Sequence, residues 1–147
     1  MLRILFTCLV LISASNLRAE VIDIDNPELA SLSASGIPLI DVRTVPEWEE
    51  SGIVPGSHLL TFFDERGNAD PSAWLKKVKS FAKPSDPVIV ICRSGNRTRA
   101  VSQFLSQQAG YAKVYNVKHG IRSWIKENRP IASAAPALAS CRKTNTC

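Results

Sequence analysis

Four β-branched residues in a row, Val88-Ile89-Val90-Ile91, lead straight into Cys92. Such side chains favour extended backbone, and a strand apolar on both faces leaves no face for water. A strand of this kind belongs in the middle of a parallel sheet with helices on either side. Parallel neighbours need crossovers, and the flanking segments offer them. Val21-Ile22-Asp23-Ile24 alternates like a short edge strand. Asn26-Pro27 starts a helix over 27–34, closed by Gly36. Pro38 to Val42 suits a buried strand, Val45 to Glu50 an acidic helix with a solvated face, and Ser57 to Leu60 a short strand. Asp64 to Asp70 is turn-like. Asp70-Pro71 caps a helix carrying Trp74, Leu75, Val78 and Phe81. After Cys92 the pattern predicts a helix from Thr98 to Gln108, a strand at Val114 to Val117, and a last helix with Ile121, Trp124 and Ile125. The three tryptophans read as core or pocket rim. Strands alternating with helices predict an α/β domain with a mainly parallel sheet.

The first residues have a different logic. Met1-Leu2-Arg3 precedes the apolar run from Ile4 to Ile12, and Ser13 to Ala19 is polar and small. This is the plan of a secretory leader, with cleavage expected after Ala19. The apolar run is shorter than the roughly 20 residues that a membrane span needs. The expected organisation is therefore a leader over 1–19, a domain over 20–131, and an Ala/Ser-rich tail over 132–147 that is expected to be mobile. The remaining 128 residues make one domain of ordinary size. With 45% hydrophobic and 21% charged residues, the composition excludes collagen, low-complexity disorder and a polytopic membrane protein. Losing Arg3 and Arg18 takes the net charge from +5 to +3. Without a basic run this does not suggest nucleic acid. The expected destination is the periplasm or the exterior, with no membrane contact after cleavage and the chain a monomer.

Three cysteines remain in an oxidising compartment: Cys92, Cys141 and Cys147. An odd number leaves one thiol for chemistry or for another chain. Cys141 and Cys147 are the expected local disulfide. A sharper alternative has one of them reaching Cys92 through the flexible tail.

Cys92 is followed by Arg93-Ser94-Gly95-Asn96-Arg97 and then helix. A short loop between a buried strand and a helix gathers free N–H groups around one point, an anion-binding nest. Gly95 allows the tight turn. Arg93 and Arg97 add positive charge, and such surroundings favour a nucleophilic thiolate. The competing reading is a small buried hydrophobe at a strand end. Phosphatase-type bowls use Cys-x5-Arg. Here Arg97 gives Cys-x4-Arg, and Thr98 stands at the next position. The tighter bowl suits a smaller electrophile, such as the outer sulfur of thiosulfate.

Four stretches together resemble the single-domain rhodanese family of sulfurtransferases. Leu39-Ile40-Asp41-Val42-Arg43 with Glu47-Trp48 looks like its strand and acidic helix. Gly52-Ile53-Val54-Pro55-Gly56-Ser57 looks like its turn, with Ile53-Val54 in place of the common His-Ile. Ile91 to Thr98 looks like its six-residue active loop and the start of the next helix, and Gly110-Tyr111 to Trp124 like its closing strand and helix. The resemblance implies a five-stranded, mainly parallel sheet flanked by helices on both faces. It also implies double displacement through a Cys92 persulfide, between a small-molecule sulfur donor and a thiol or cyanide acceptor, with no cofactor and no metal. The loop N–H groups from Arg93 to Arg97 would stabilise the persulfide, and the two arginines would attract the donor dianion. A partner-binding or sulfur-carrying module with little turnover is the alternative. A phosphatase or arsenate reductase on the same scaffold is disfavoured by the place of Arg97. Asp41 and Arg43, at a strand end, are expected to support the loop together with Thr98; Asp41 could do so by accepting loop N–H groups, but a structural helix-capping or ion-pair role is the expected one. His58 and His119 match no metal spacing and read as surface or loop residues.

Overall fold

The computed structural model describes residues 19–147, so the expected leader, with Cys8, lies almost wholly outside the described residues. In chain order the elements are β1 (Glu20–Ile24), α1 (Asn26–Ala34), β2 (Leu39–Asp41), α2 (Val45–Ser51), β3 (His58–Leu59), α3 (Pro71–Val78), β4 (Val88–Ile91), α4 (Asn96–Gln103), β5 (Lys113–Val117), α5 (Gly120–Lys126) and α6 (Ala134–Thr144). A π-helical turn, Phe104–Gln108, extends α4. The sheet has five strands in the order β1-β5-β4-β2-β3, and every pairing is parallel. The apolar run 88–91 is the central strand, fully buried along its length.

Alternation along that strand builds two cores. Val88 and Val90 face one side, where Ile40, Val114, Trp74, Val78, Val101, Leu105 and Tyr111 pack. Ile89 and Ile91 face the other, against Leu29, Leu39, Val117, Ile121 and Trp124. Successive side chains of a strand point to opposite faces, so one apolar run serves both layers.

Two local rules set the helix that leaves Cys92. The helix starts at Asn96, two residues earlier than the sequence pattern suggests, because Gly95 takes the left-handed conformation (φ 93°) as its N-cap. Its far end widens into the π turn, where the Ala109 amide bonds to the Phe104 carbonyl and the Tyr111 amide to the Leu105 carbonyl. The Tyr111 hydroxyl then donates to the Ala82 carbonyl at 2.7 Å, anchoring this end of the helix to the segment after α3.

The tail is a correction. Expected to be mobile, residues 134–144 form α6, capped by Ser133. Ala134 and Leu138 are buried with Trp48, Ile53 and Leu59 in a third core beside the edge strand β3. Ile53 and Ala132 exchange backbone hydrogen bonds at 3.0 and 2.9 Å, which aligns the tail with the turn after α2. Pro136 lies in the first turn, where its missing N–H costs nothing. α6 covers an edge that would otherwise expose unpaired backbone.

Asn145 in the left-handed conformation ends α6, and the chain folds back so that Cys141 and Cys147 form a disulfide. Cys92 is the free cysteine among the described residues. The Cys147 carbonyl accepts from Lys77 on α3. Trypsin cuts after Arg142 and Lys143, so the fragment Thr144–Cys147 should stay attached to the peptide ending at Arg142 until a reductant is added. Release without reductant would rule the bond out. Closing so short a loop should contribute about 2 kcal/mol in the chain-entropy treatment, read as the stability lost in Cys141→Ser.

Candidate active site

The chain leaves β2 towards the β3 edge and leaves β4 towards β5. The carboxyl ends of these two adjacent strands therefore open a crevice, the place where open α/β sheets hold their ligands. Cys92 ends β4 there, and Asp41 ends β2. The Val42 amide still bonds to the Ile91 carbonyl at 3.0 Å, so the two strand ends are held in register.

Cys92 is 1% exposed. Its Sγ accepts a hydrogen bond from the Gly95 amide at 3.2 Å and lies 3.6 Å from the Thr98 hydroxyl. Thr98 is itself buried and bonds to the Gly95 carbonyl at 3.1 Å, which fixes the hydroxyl under the sulfur. Of the loop amides expected to converge, Gly95 is the one that reaches Sγ. The loop carbonyls face the other way. The Ile121 amide donates to the Cys92 carbonyl at 2.8 Å and the Arg122 amide to the Arg93 carbonyl at 3.2 Å. The start of α5 thus clamps the Cys92–Arg93 end of the loop from outside, while the Gly95 amide points at the sulfur.

The clamp depends on glycines. A Cβ on Gly95 would stand 2.0 Å from the Lys118 carbonyl oxygen, and one on Gly120 would stand 2.4 Å from the Arg93 carbonyl. Both contacts are with backbone, which cannot swing away.

Asp41 does not accept loop N–H groups. It is fully buried and turns to Arg43, 1% exposed, in an ion pair of 2.7 Å. The Arg43 guanidinium has no spare donor. It bonds to both Asp41 oxygens, to the Glu47 and Gly52 carbonyls and to the Ser51 hydroxyl. The pair therefore ties α2 to the end of β2 and supports the site at one remove. Breaking one partner of so buried a pair leaves an uncompensated charge, which is why it holds α2 firmly.

Glu47 was expected on a solvated helix face and is instead part of the site. Its two oxygens take both ends of the Arg97 guanidinium, at 2.7 and 2.6 Å. The Thr44 amide and hydroxyl also donate to it, each at 3.1 Å. Thr44-Val45-Pro46-Glu47 is a capping-box spacing, and that signal places the carboxylate back over the helix start rather than out in water. Arg97 is consequently an ion-paired residue bridging the active loop to α2. It is not the open cation that the loop sequence suggests.

Burial pushes the Glu47 carboxyl upward, but the Arg97 hydrogen bonds, the Thr44 amide and the Arg97 charge outweigh it and lower it to about 2. Arg97 rises in turn, chiefly through its bonds to Glu47. Glu47 thus stabilises the fold fully above its unfolded value, given as 4.5, and the contribution fades as pH falls towards 2. With both partners partly open to solvent, the pair should be worth about 1 kcal/mol. The stability gap between the wild type and Glu47→Gln should shrink by most of that amount as pH falls from about 6 to about 2, followed by urea unfolding. A constant gap would show that the pair contributes nothing.

Two clefts flank the loop. One, of about 270 Å3, lies between α2 and α5 and is lined by Arg93, Arg122, Glu50, Ser51, Ile121 and Ile125, with Arg43 and Glu47 behind. The other, of about 480 Å3, is lined by Phe63, Asp64, Glu65, Gly67, Asn96, Arg97 and Ala100. Ser94 is exposed at the loop tip. His58 stacks on Phe81 at 4.0 Å and His119 is an exposed residue before α5. Among the described residues no group of three or more His, Cys, Asp or Glu side chains could hold a metal ion.

The comparisons agree with this arrangement. Residues 25–127 match the family model of the rhodanese-like domain. Thiosulfate sulfurtransferase 18 of Arabidopsis thaliana is 32% identical over 126 residues, covering 82% of this chain and 90% of that protein. The crystal structure of a rhodanese-like domain protein from Staphylococcus aureus superposes with a TM-score of 0.56 at 23% identity, over 76% of this chain and 99% of that one. The solution structure of the polysulfide-sulfur transferase homodimer of Wolinella succinogenes gives 0.58 at 22% identity, over 79% and 81%. A central parallel strand ending in a buried cysteine, a six-residue loop held between a helix start and a glycine clamp, and a family match over most of the chain converge on one assignment: this chain belongs to the rhodanese-like sulfurtransferase family.

Proposed function

We propose that the protein moves the outer sulfur of thiosulfate to a thiophilic acceptor through a persulfide on Cys92, outside the cytoplasm. The Cys92 thiolate attacks the sulfane sulfur. The S–S bond of thiosulfate breaks and sulfite leaves with the bonding electrons. The acceptor then attacks the outer sulfur of the persulfide, and Cys92 departs as thiolate. Neither step calls for a metal or an organic cofactor.

The observation that carries this reading is the Gly95 amide aimed at a buried Sγ, in a loop whose Cys92 and Arg93 carbonyls are already occupied by α5. A donor fixed before the charge develops stabilises an anionic sulfur with no cost of rearrangement. The disulfide of α6 and the leader-like start of the sequence support an oxidising compartment. One chain carries the whole site, so a monomer suffices.

The test is intact mass of the purified protein, before thiosulfate, after it, and after cyanide. A gain of one sulfur atom, lost on adding cyanide, is the expected result. Uptake that cyanide cannot discharge would make the protein a sulfur-carrying module. No uptake by a reduced Cys92 would overturn the proposal.

A further inference from the structure

The cleft between α2 and α5 has two walls of opposite charge. Arg93 and Arg122 stand on one side, both exposed, and among the described residues neither has a carboxylate partner. Arg43 and Arg97, the other arginines beside α2, are consumed by Asp41 and Glu47. On the opposite wall Glu47 is likewise consumed, which leaves Glu50, exposed on α2, as the unpaired carboxylate. Ile125, 39% exposed, and Ile121 give the cleft an apolar floor.

The cleft adjoins the loop that carries Cys92. Arg93 is the residue after Cys92, and the amides of Ile121 and Arg122 hold the Cys92 and Arg93 carbonyls. Its volume, about 270 Å3, lies just below the usual range for small-molecule sites, roughly 300–1,000 Å3. That is more room than a thiosulfate dianion uses. A plain anion would also have no use for Glu50. A ligand with a carboxylate and an ammonium on one carbon answers both walls, and its aliphatic stem answers the isoleucines.

We propose that this cleft binds the α-amino-acid group of a free amino-acid thiol, cysteine, as the sulfur acceptor. Arg122 and Arg93 take the carboxylate, and Glu50 takes the ammonium. The inference deepens the sulfurtransferase reading and rests on it for the transfer step. There the acceptor thiolate forms an S–S bond to the outer persulfide sulfur, the bond from that sulfur to Cys92 Sγ breaks, and Cys92 leaves as thiolate. The acceptor departs as its persulfide, and no electrons are gained or lost overall. Arg122 and Glu50 are specificity-determining residues in this scheme, and neither touches the reacting sulfur.

Binding is tested apart from chemistry by titrating S-methylcysteine, which cannot react, into the 15N-labelled protein. Amide shifts should concentrate at Glu50, Ser51, Arg93 and Arg122. Arg122→Ala should weaken binding about tenfold, the worth of one charge-assisted contact. Absence of shifts, or shifts unaltered by Arg122→Ala, would overturn the proposal even if thiosulfate loads Cys92 normally. The second arm discharges thiosulfate-loaded protein with cysteine, N-acetylcysteine, cysteamine and cyanide, each rate corrected for its thiolate fraction. Cysteine should lead both analogues by about tenfold. Arg122→Ala should abolish its lead over cysteamine, Glu50→Gln its lead over N-acetylcysteine, and the cyanide rate should stay unchanged in both. Equal corrected rates for the three thiols would refute the site. A protein that binds S-methylcysteine at these residues yet takes no sulfur from thiosulfate would fail the parent reading alone.

Discussion

Cys92→Ser protein should fold as the wild type does and take up no sulfur from thiosulfate. Serine is close to cysteine in shape, and Cys92 makes few polar contacts that a hydroxyl could not replace: one amide and one hydroxyl reach Sγ. The thermal or urea midpoint should therefore move little. Chemistry should stop, because a hydroxyl beside an amide dipole is not an alkoxide and cannot carry a persulfide. Intact mass after thiosulfate reads this directly. Since Cys141 and Cys147 are tied to each other, no other described thiol stands ready to substitute. A retained mass gain in Cys92→Ser would move the nucleophile elsewhere and dismantle the proposed mechanism.

Gly95→Ala should be the most damaging single-methyl change near the site. Two costs add. The left-handed backbone at φ 93° strains any residue with a Cβ, at about 1–3 kcal/mol. The new methyl would also sit 2.0 Å from the Lys118 carbonyl oxygen, so the β5–α5 turn must yield. The Gly95 amide would move with it, and losing a preorganised donor of this kind typically costs about 100- to 1,000-fold in turnover. Gly56→Ala is the matched control. It has a similar φ of 82°, with nothing within 4 Å of its Cβ, and should show the strain alone. Urea unfolding and the rate of sulfur uptake on both variants separate the terms. Equal behaviour would mean the Lys118 turn gives way freely, and the clamp would lose its rigidity as an explanation.

The strand, the buried cysteine at its end and the turn glycine were legible in the sequence because each is encoded locally. A run of β-branched residues, a cysteine at its end and a glycine three residues on need no knowledge of the rest of the chain. Glu47 escaped for the opposite reason. Its partner, Arg97, presents the same charge whether solvated or paired, and only the packing of α2 against the loop decides which. The ion-pair reading of Asp41 could be anticipated, because Arg43 stands two residues away. The capping-box spacing at Thr44 held a hint of where Glu47 turns. The α6 helix was obscured by Pro136 and a run of small residues. What stabilises it is burial of Ala134 and Leu138 against Trp48, Ile53 and Leu59, and that contact does not exist until the sheet edge does. The pairing of Cys141 with Cys147, by contrast, could be anticipated from their closeness in the tail.

The π turn at Phe104–Gln108 fixes a length that nothing else in the chain reveals. Upstream of it, α4 must present Gly95 and Thr98 to the sulfur. Downstream, Tyr111 must reach the Ala82 carbonyl. The wide turn absorbs the one residue by which those two demands disagree. Removing that residue would restore a regular helix and rotate its two ends against each other by about 100°, one residue's share of a turn. Either the thiol loses its hydroxyl neighbour or the tyrosine loses its anchor. The stretch from Asn96 to Tyr111 therefore tolerates exchange of side chains far better than any change in their number.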